Sequence, residues 1–170
     1  MDIFYGAAIQ GAHDRTERAH IHKTLIEEIK AMGFRMLSEH TMGNSKEETA
    51  LLLEKSIGPL PPPGIERTRY VRKKMIELVE SDVVAAVFEV SIPSLGTGIE
   101  FAHSYLRPRM GLREIPILVL YQTDYWPNHL SSMIKGMRVE EFPNIELKEY
   151  AALEEAQSIL RIFLERVHRK

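Results

Sequence analysis

From Asp82 to Val90 (DVVAAVFEV) the chain is almost unbroken apolar and rich in valine, the pattern of a strand buried on both faces. The run stops at Ser91, and Pro93 to Gly98 (PSLGTG) cannot extend it. GIEFAHSYL follows with helical apolar spacing at Ile99, Phe101, Ala102 and Leu106, and places Glu100 in the expected first turn. Upstream, Asp2 to Ala8 predicts a short strand and Ile9 to His13 a turn. Asp14 then predicts the N-cap of a helix reaching about Met32, with Ala19, Ile21, Leu25, Ile26 and Ile29 inward and Gly33 as its stop. Phe34 to Leu37 reads as a second strand. Ser45 to Ser56 reads as a helix opened by the capping box Ser45-x-x-Glu48.

GPLPPPGIER is a stiff, extended connection, read as a lid over a site. Glu66 to Glu80 predicts a helix with Tyr70, Val71, Met75, Leu78 and Val79 inward and a basic beginning, for which solvation is the default explanation. Ile115 to Tyr121 is a fourth buried strand, His129 to Met137 a short helix, Phe142 to Leu147 a fifth strand, and Glu149 to His168 a final amphipathic helix. Strands alternating with helices imply a three-layer α/β fold, flavodoxin- or Rossmann-like, with a five-stranded parallel sheet in the order 2-1-3-4-5. Such sheets bind ligands beyond the carboxyl ends of the first and third strands. Here those ends carry IQGAH and PSLGTGIE, which aims Glu100 at the ligand crevice.

Composition narrows the field. The chain has 170 residues, 44% hydrophobic, which suits one domain over 1–170. A net charge of −2 gives no basic field for nucleic acid or an anionic membrane, though glycine turns and helix starts bind phosphate without one. No cysteine excludes disulfides and thiolate chemistry. No secretory signal or membrane-length apolar run is visible, so a soluble cytoplasmic protein is expected.

Glu100 has two readings. Thr97-x-x-Glu100 fits a capping box that merely closes a helix start. Alternatively, an acid in the positive end of a helix dipole is held ionised and suits a nucleophile or an electrostatic stabiliser, for which attack on a sugar's anomeric carbon is one such chemistry, or it only binds a ribose hydroxyl. His40 ends the second strand near the crevice and could contact a ligand, and His103 lies three residues beyond Glu100, where it could tune it. His20 and His22 point to different helix faces and do not read as a metal pair.

Four segments, IFYGAAIQG, SEH at 38–40, EVSIPSLGTGIEFA and LSSMIKG at 130–136, give the chain a resemblance to the nucleoside 2-deoxyribosyltransferase superfamily. It most resembles the 2'-deoxynucleoside 5'-phosphate N-hydrolase branch. The resemblance implies a single domain of that type that cleaves the N-glycosidic bond of a nucleoside or its 5'-monophosphate. Glu100 would hold the sugar as a covalent ester, and no metal or organic cofactor would be needed. It further implies that Ser94 and Gly96 meet the nucleotide, that Ile9 and Gly11 line the phosphate and sugar side, and that His40 sits against the base. Ser131 and Met133 would act across a homodimer interface. The first turn departs from the branch: Ala8 and Gln10 stand where serine and arginine serve the phosphate, and Arg15 or the basic helix start at Glu66 could compensate. The branch's aspartate on the helix before the third strand falls on Lys74 or Ile76. Base exchange between nucleosides, or nucleotide binding without catalysis, are the alternative expectations.

Overall fold

The computed structural model describes residues 1–8, 15–123, 125, 129–137 and 140–169. Its sheet joins β1 (Asp2–Ala7), β2 (Arg35–Met36), β3 (Ala85–Glu89), β4 (Ile117–Gln122) and β5 (Ile145–Tyr150). All pairings are parallel and the order is β2-β1-β3-β4-β5, as the alternation of elements predicts. The helices are α1 (Arg15–Ala31), α2 (Lys46–Ile57), α3 (Ile65–Glu80), α4 (Leu95–Tyr105), α5 (Ser132–Lys135) and α6 (Leu153–His168). Single turns of tighter helix at His40–Met42 and Arg107–Met110, too short to leave an apolar period, were not anticipated.

Strand periodicity builds the three layers. Ile3, Tyr5, Ala85, Val87, Leu118 and Leu120 face one way and pack with the buried stripes of α1 and α6. Their neighbours Phe4, Ala86, Phe88, Ile117 and Val119 face the other way, against Met75 and Val79 of α3 and Phe101 of α4. Because both faces are covered, the central strands are apolar apart from their end residues, which is why they are so visible in the sequence. β5 is an edge strand and carries Glu146, Lys148 and Glu149. It therefore begins and ends three residues later than the apolar content of Phe142 to Leu147 suggests, and α6 starts correspondingly late, at Leu153.

Packing of the sheet also reaches the candidate site. A Cβ on Gly6 would lie 2.4 Å from a ring atom of Phe88, its register partner on β3. Only a glycine leaves room for that ring. Phe88 in turn meets Phe101 edge to face, with ring centroids 5.3 Å apart, and Phe101 immediately follows Glu100. The α2 start forms as read: Ser45 Oγ accepts from the Glu48 N–H at 3.0 Å, although Glu48 reaches back to the Asn44 N–H rather than to that of Ser45. Gly33 adopts a left-handed conformation, φ 85°, just beyond α1. Among the described residues no helix is long and apolar enough to cross a membrane.

Candidate active site

The carboxyl ends of β1 and β3 meet at a crevice of about 220 Å³. One wall comes from the start of α4 and holds Ser94, Gly96, Thr97 and Glu100; Ala7 and Ala8, at the end of β1, form the floor. The opposite wall lies on the β2 side: His40, Thr41, Thr49 and Arg15. Arg15 leans to that side because its Nη2 donates to the Ser45 carbonyl at 3.1 Å and to Thr49 Oγ1 at 2.9 Å, both at the start of α2. The two walls lie on either side of β1, which separates β2 from β3 in the sheet.

Two expectations about Glu100 are corrected here. The helix begins earlier than read, with Ser94 as N-cap accepting from the Thr97 N–H at 3.3 Å. Glu100 therefore falls in the second turn, and Thr97 and Glu100 do not form a capping box. Second, the helix dipole does not hold the carboxyl ionised, since that influence fades beyond the first turn. Burial instead pushes its pKa up to about 7. Among the described residues no side chain hydrogen-bonds or pairs with this carboxylate.

A raised carboxyl pKa means that ionisation opposes folding. The stability this group gives is fully present below its unfolded pKa, near 4.5, and is lost as pH rises to about 7. Glu100→Gln cannot ionise and should thus stabilise the protein at pH 8 relative to wild type, by on the order of 1–2 kcal/mol once screening of a half-buried group is allowed for. At pH 4.5 the gain should vanish, and thermal melts at both pH values measure the difference.

Of the residues singled out from the sequence, the structure brings Glu100, Ser94, Gly96 and His40 into one crevice. Ile9 and Gly11 lie outside the described residues. Ser131 and Met133 do not join Glu100 within the chain. They line a neighbouring, largely apolar cavity of about 690 Å³ with Ile92, Phe101, Tyr105 and Phe142, which shares Ser94 and Thr97 with the first. Ser131 caps α5, its Oγ accepting from the Met133 N–H at 3.3 Å. Met133 is 83% exposed.

His103 does not reach Glu100, because its Nδ1 lies 2.6 Å from Glu80 Oε1 on α3. The loop 58–64 supplies no residue to either cavity. The basic beginning of α3 is largely occupied locally: Arg69 pairs with Glu66, Lys73 and Lys74 with Glu77, and Arg67 Nε donates to the Pro61 carbonyl.

Thr41 and Thr49 were missed, because a threonine in a polar stretch leaves no periodic signal. Also missed was a buried network on the α1 side. Glu89, the last residue of β3, sits within the apolar run yet is fully buried. Arg18 of α1 donates to its Oε2 from Nη2 at 2.5 Å, and Tyr150 donates to its Oε1 at 2.9 Å. Ser91 Oγ also donates to Oε1 and itself accepts from the Gln122 N–H at 2.7 Å. Arg18 Nη1 reaches Gln122 Oε1 at 2.8 Å, and its guanidinium lies 4.7 Å from the centre of the Tyr125 ring. Burial alone would raise the Glu89 pKa, but the Arg18 charge and the bonds from Arg18 and Ser91 outweigh it and hold the carboxylate low. The network ties the ends of β3, β4 and β5 to α1, and so fixes the point from which residues 91–94 deliver α4 and Glu100.

Fold and site together define a flavodoxin-like α/β protein with an unpaired carboxylate at the topological switch point. The chain is 30% identical over 157 residues to a Thermofilum pendens protein named "Putative 2'-deoxynucleoside 5'-phosphate N-hydrolase 1", covering 92% of this chain and 90% of that one. No family model matches the chain. That similarity, over nearly the whole of both chains, places it in the 2'-deoxynucleoside 5'-phosphate N-hydrolase family.

Proposed function

We propose that this chain hydrolyses the N-glycosidic bond of a 2'-deoxynucleoside 5'-monophosphate through a glycosyl ester on Glu100. The observation that carries the reading is the Glu100 carboxylate, half-buried and unpartnered in a crevice at the switch point. A nucleophilic carboxylate needs a lone pair free to reach C1', and among the described residues no side chain competes for this one. The name of the Thermofilum relative supports the substrate class. Glu100 in its ionised form attacks C1' as the bond to the base breaks, and water then cleaves the ester. The N–H groups at the start of α4, beside Ser94 and Gly96, offer an anion the positive end of a helix and suit the 5'-phosphate.

We extend the proposal to a homodimer in which Ser131 and Met133 of one subunit complete the crevice of the other. Support comes from Leu95, 90% exposed, and Met133, both at the rim of the apolar cavity that adjoins the crevice.

The test is release of free base from ribo- and deoxyribonucleosides and their 5'-monophosphates, followed as a function of pH. Because the nucleophile must be deprotonated, kcat/KM should rise about tenfold per pH unit below pH 7 and level off above it. A rate that instead falls through pH 7 would mean that Glu100 works as an acid, against this reading. Nucleotide binding without base release would reduce the chain to a binding module, and base exchange with an added second base would make it a transferase.

A further inference from the structure

Three buried polar atoms on the β2-side wall of the crevice have no hydrogen-bond partner among the described residues: Arg15 Nε, His40 Nδ1 and Thr41 Oγ1. Thr41 as a whole is 1% exposed. Buried polar groups are rarely left unpaired, and three lining one crevice that also contains Glu100 point to a ligand edge that satisfies them. What they offer is one N–H from Arg15, one hydroxyl that donates or accepts, and one imidazole nitrogen. That set suits the edge of a flat heterocycle better than a phosphate dianion, which needs more donors and keeps its water.

The chemistry of the leaving base sharpens the assignment. As the C1'–N bond breaks, its electron pair goes to the base, and negative charge collects on a ring nitrogen or conjugated carbonyl oxygen. A proton or a fixed positive charge must meet it. Among the described residues lining the crevice, the ionisable side chains are Glu100, His40 and Arg15. Glu100 is spent as the nucleophile. His40 is held neutral by burial, its pKa pushed down to about 4, so at neutral pH it offers neither a positive charge nor an acidic proton. Arg15 remains, with Nη2 engaged by α2 and Nε free.

Resting on the N-hydrolase reading, we propose that Arg15 is the leaving-group residue: its Nε–H donates to the departing base and stabilises it as an anion, while Thr41 and His40 fix the edge of the ring. The base leaves unprotonated. In the second half-reaction the water oxygen bonds to C1', the ester electron pair returns to Glu100, and the water proton ends on the base. No separate general acid is required.

Guanine and N7-methylguanine 2'-deoxynucleotides test this, because the methylated base is already cationic and departs neutral. Uracil and 5-nitrouracil nucleotides form a second pair, in which the nitro group stabilises the anion without help from the protein. Arg15→Met should lose about 100-fold in kcat on guanine and uracil, the usual size for one donor to developing charge, and under about 5-fold on the activated partners. Arg15→Lys should recover part of the loss on the poor leaving groups only. Thr49→Val, which removes one of the bonds that hold Arg15 but keeps the charge, should lower guanine and uracil release by less than Arg15→Met does and leave the activated partners nearly unchanged.

An equal loss for Arg15→Met on activated and unactivated bases overturns the proposal and leaves Arg15 a structural tether. A loss confined to phosphorylated substrates, the same for every base, also overturns it and assigns Arg15 to the phosphate. If wild type cleaves none of these substrates, the N-hydrolase reading falls, and this inference with it.

Discussion

Glu100→Ala and Glu100→Gln are each expected to release base at least about 1,000-fold more slowly than wild type, with the loss in kcat. Neither variant should unfold. The side chain is half-buried, makes no bond among the described residues, and packs at the rim of a crevice rather than in the core. Removing its charge even stabilises the protein above pH 7, as argued from its raised pKa. Loss of activity with gain of stability is the signature of a group kept for chemistry at a cost to the fold. Release rates from single-turnover experiments, set beside thermal melts at pH 8, measure both sides. A Glu100→Gln protein that is both inactive and destabilised would make the residue structural.

Arg18→Met is expected to produce the largest loss of stability. It strands the Glu89 carboxylate in a fully buried site, keeping only its bonds from Ser91 and Tyr150, and breaking a buried pair from one side costs about 3–5 kcal/mol. In a chain of this length that lowers Tm by on the order of 10 °C. Pairing Arg18→Met with Glu89→Leu removes both charges and should restore most of the loss, because no uncompensated ion remains. Activity need not follow stability in the double variant: without the network, Ser91 and Gln122 lose the partners that fix the end of β3. Denaturant titration of the three proteins decides it. If the double variant is no more stable than Arg18→Met, the pair is not what the network contributes.

The sequence already carries the sheet order and the ligand crevice, for a physical reason. Strands buried on both faces are continuous apolar runs, and glycine or proline punctuation marks where they end, so β1, β3 and β4 announce themselves. Glu100 and His40 could be placed in the crevice because they sit in the segments that leave the ends of β3 and β2. What stayed hidden depends on contacts between distant residues. Glu89 looks like a solvated interruption of an apolar run until Arg18, 71 positions away, is folded against it. Ser94 wins the α4 cap over Thr97, which moves Glu100 by a turn and reverses the expected direction of its pKa. Thr41 becomes a candidate, and Arg15 a candidate for the base rather than the phosphate, only once their buried atoms are seen without partners among the described residues in the same crevice as Glu100.

The covalent ester on Glu100 is tested most directly by intact-mass analysis of the protein incubated with a 2'-deoxy-2'-fluoro nucleoside 5'-monophosphate. The fluorine destabilises the cationic transition state of both half-reactions, so an ester once formed persists. We predict one equivalent of free base per active site, a matching mass increase equal to the fluorosugar phosphate, and an adduct that maps to Glu100 after proteolysis. Stoichiometric or greater base release with unchanged protein mass, or an adduct on another residue, would contradict it.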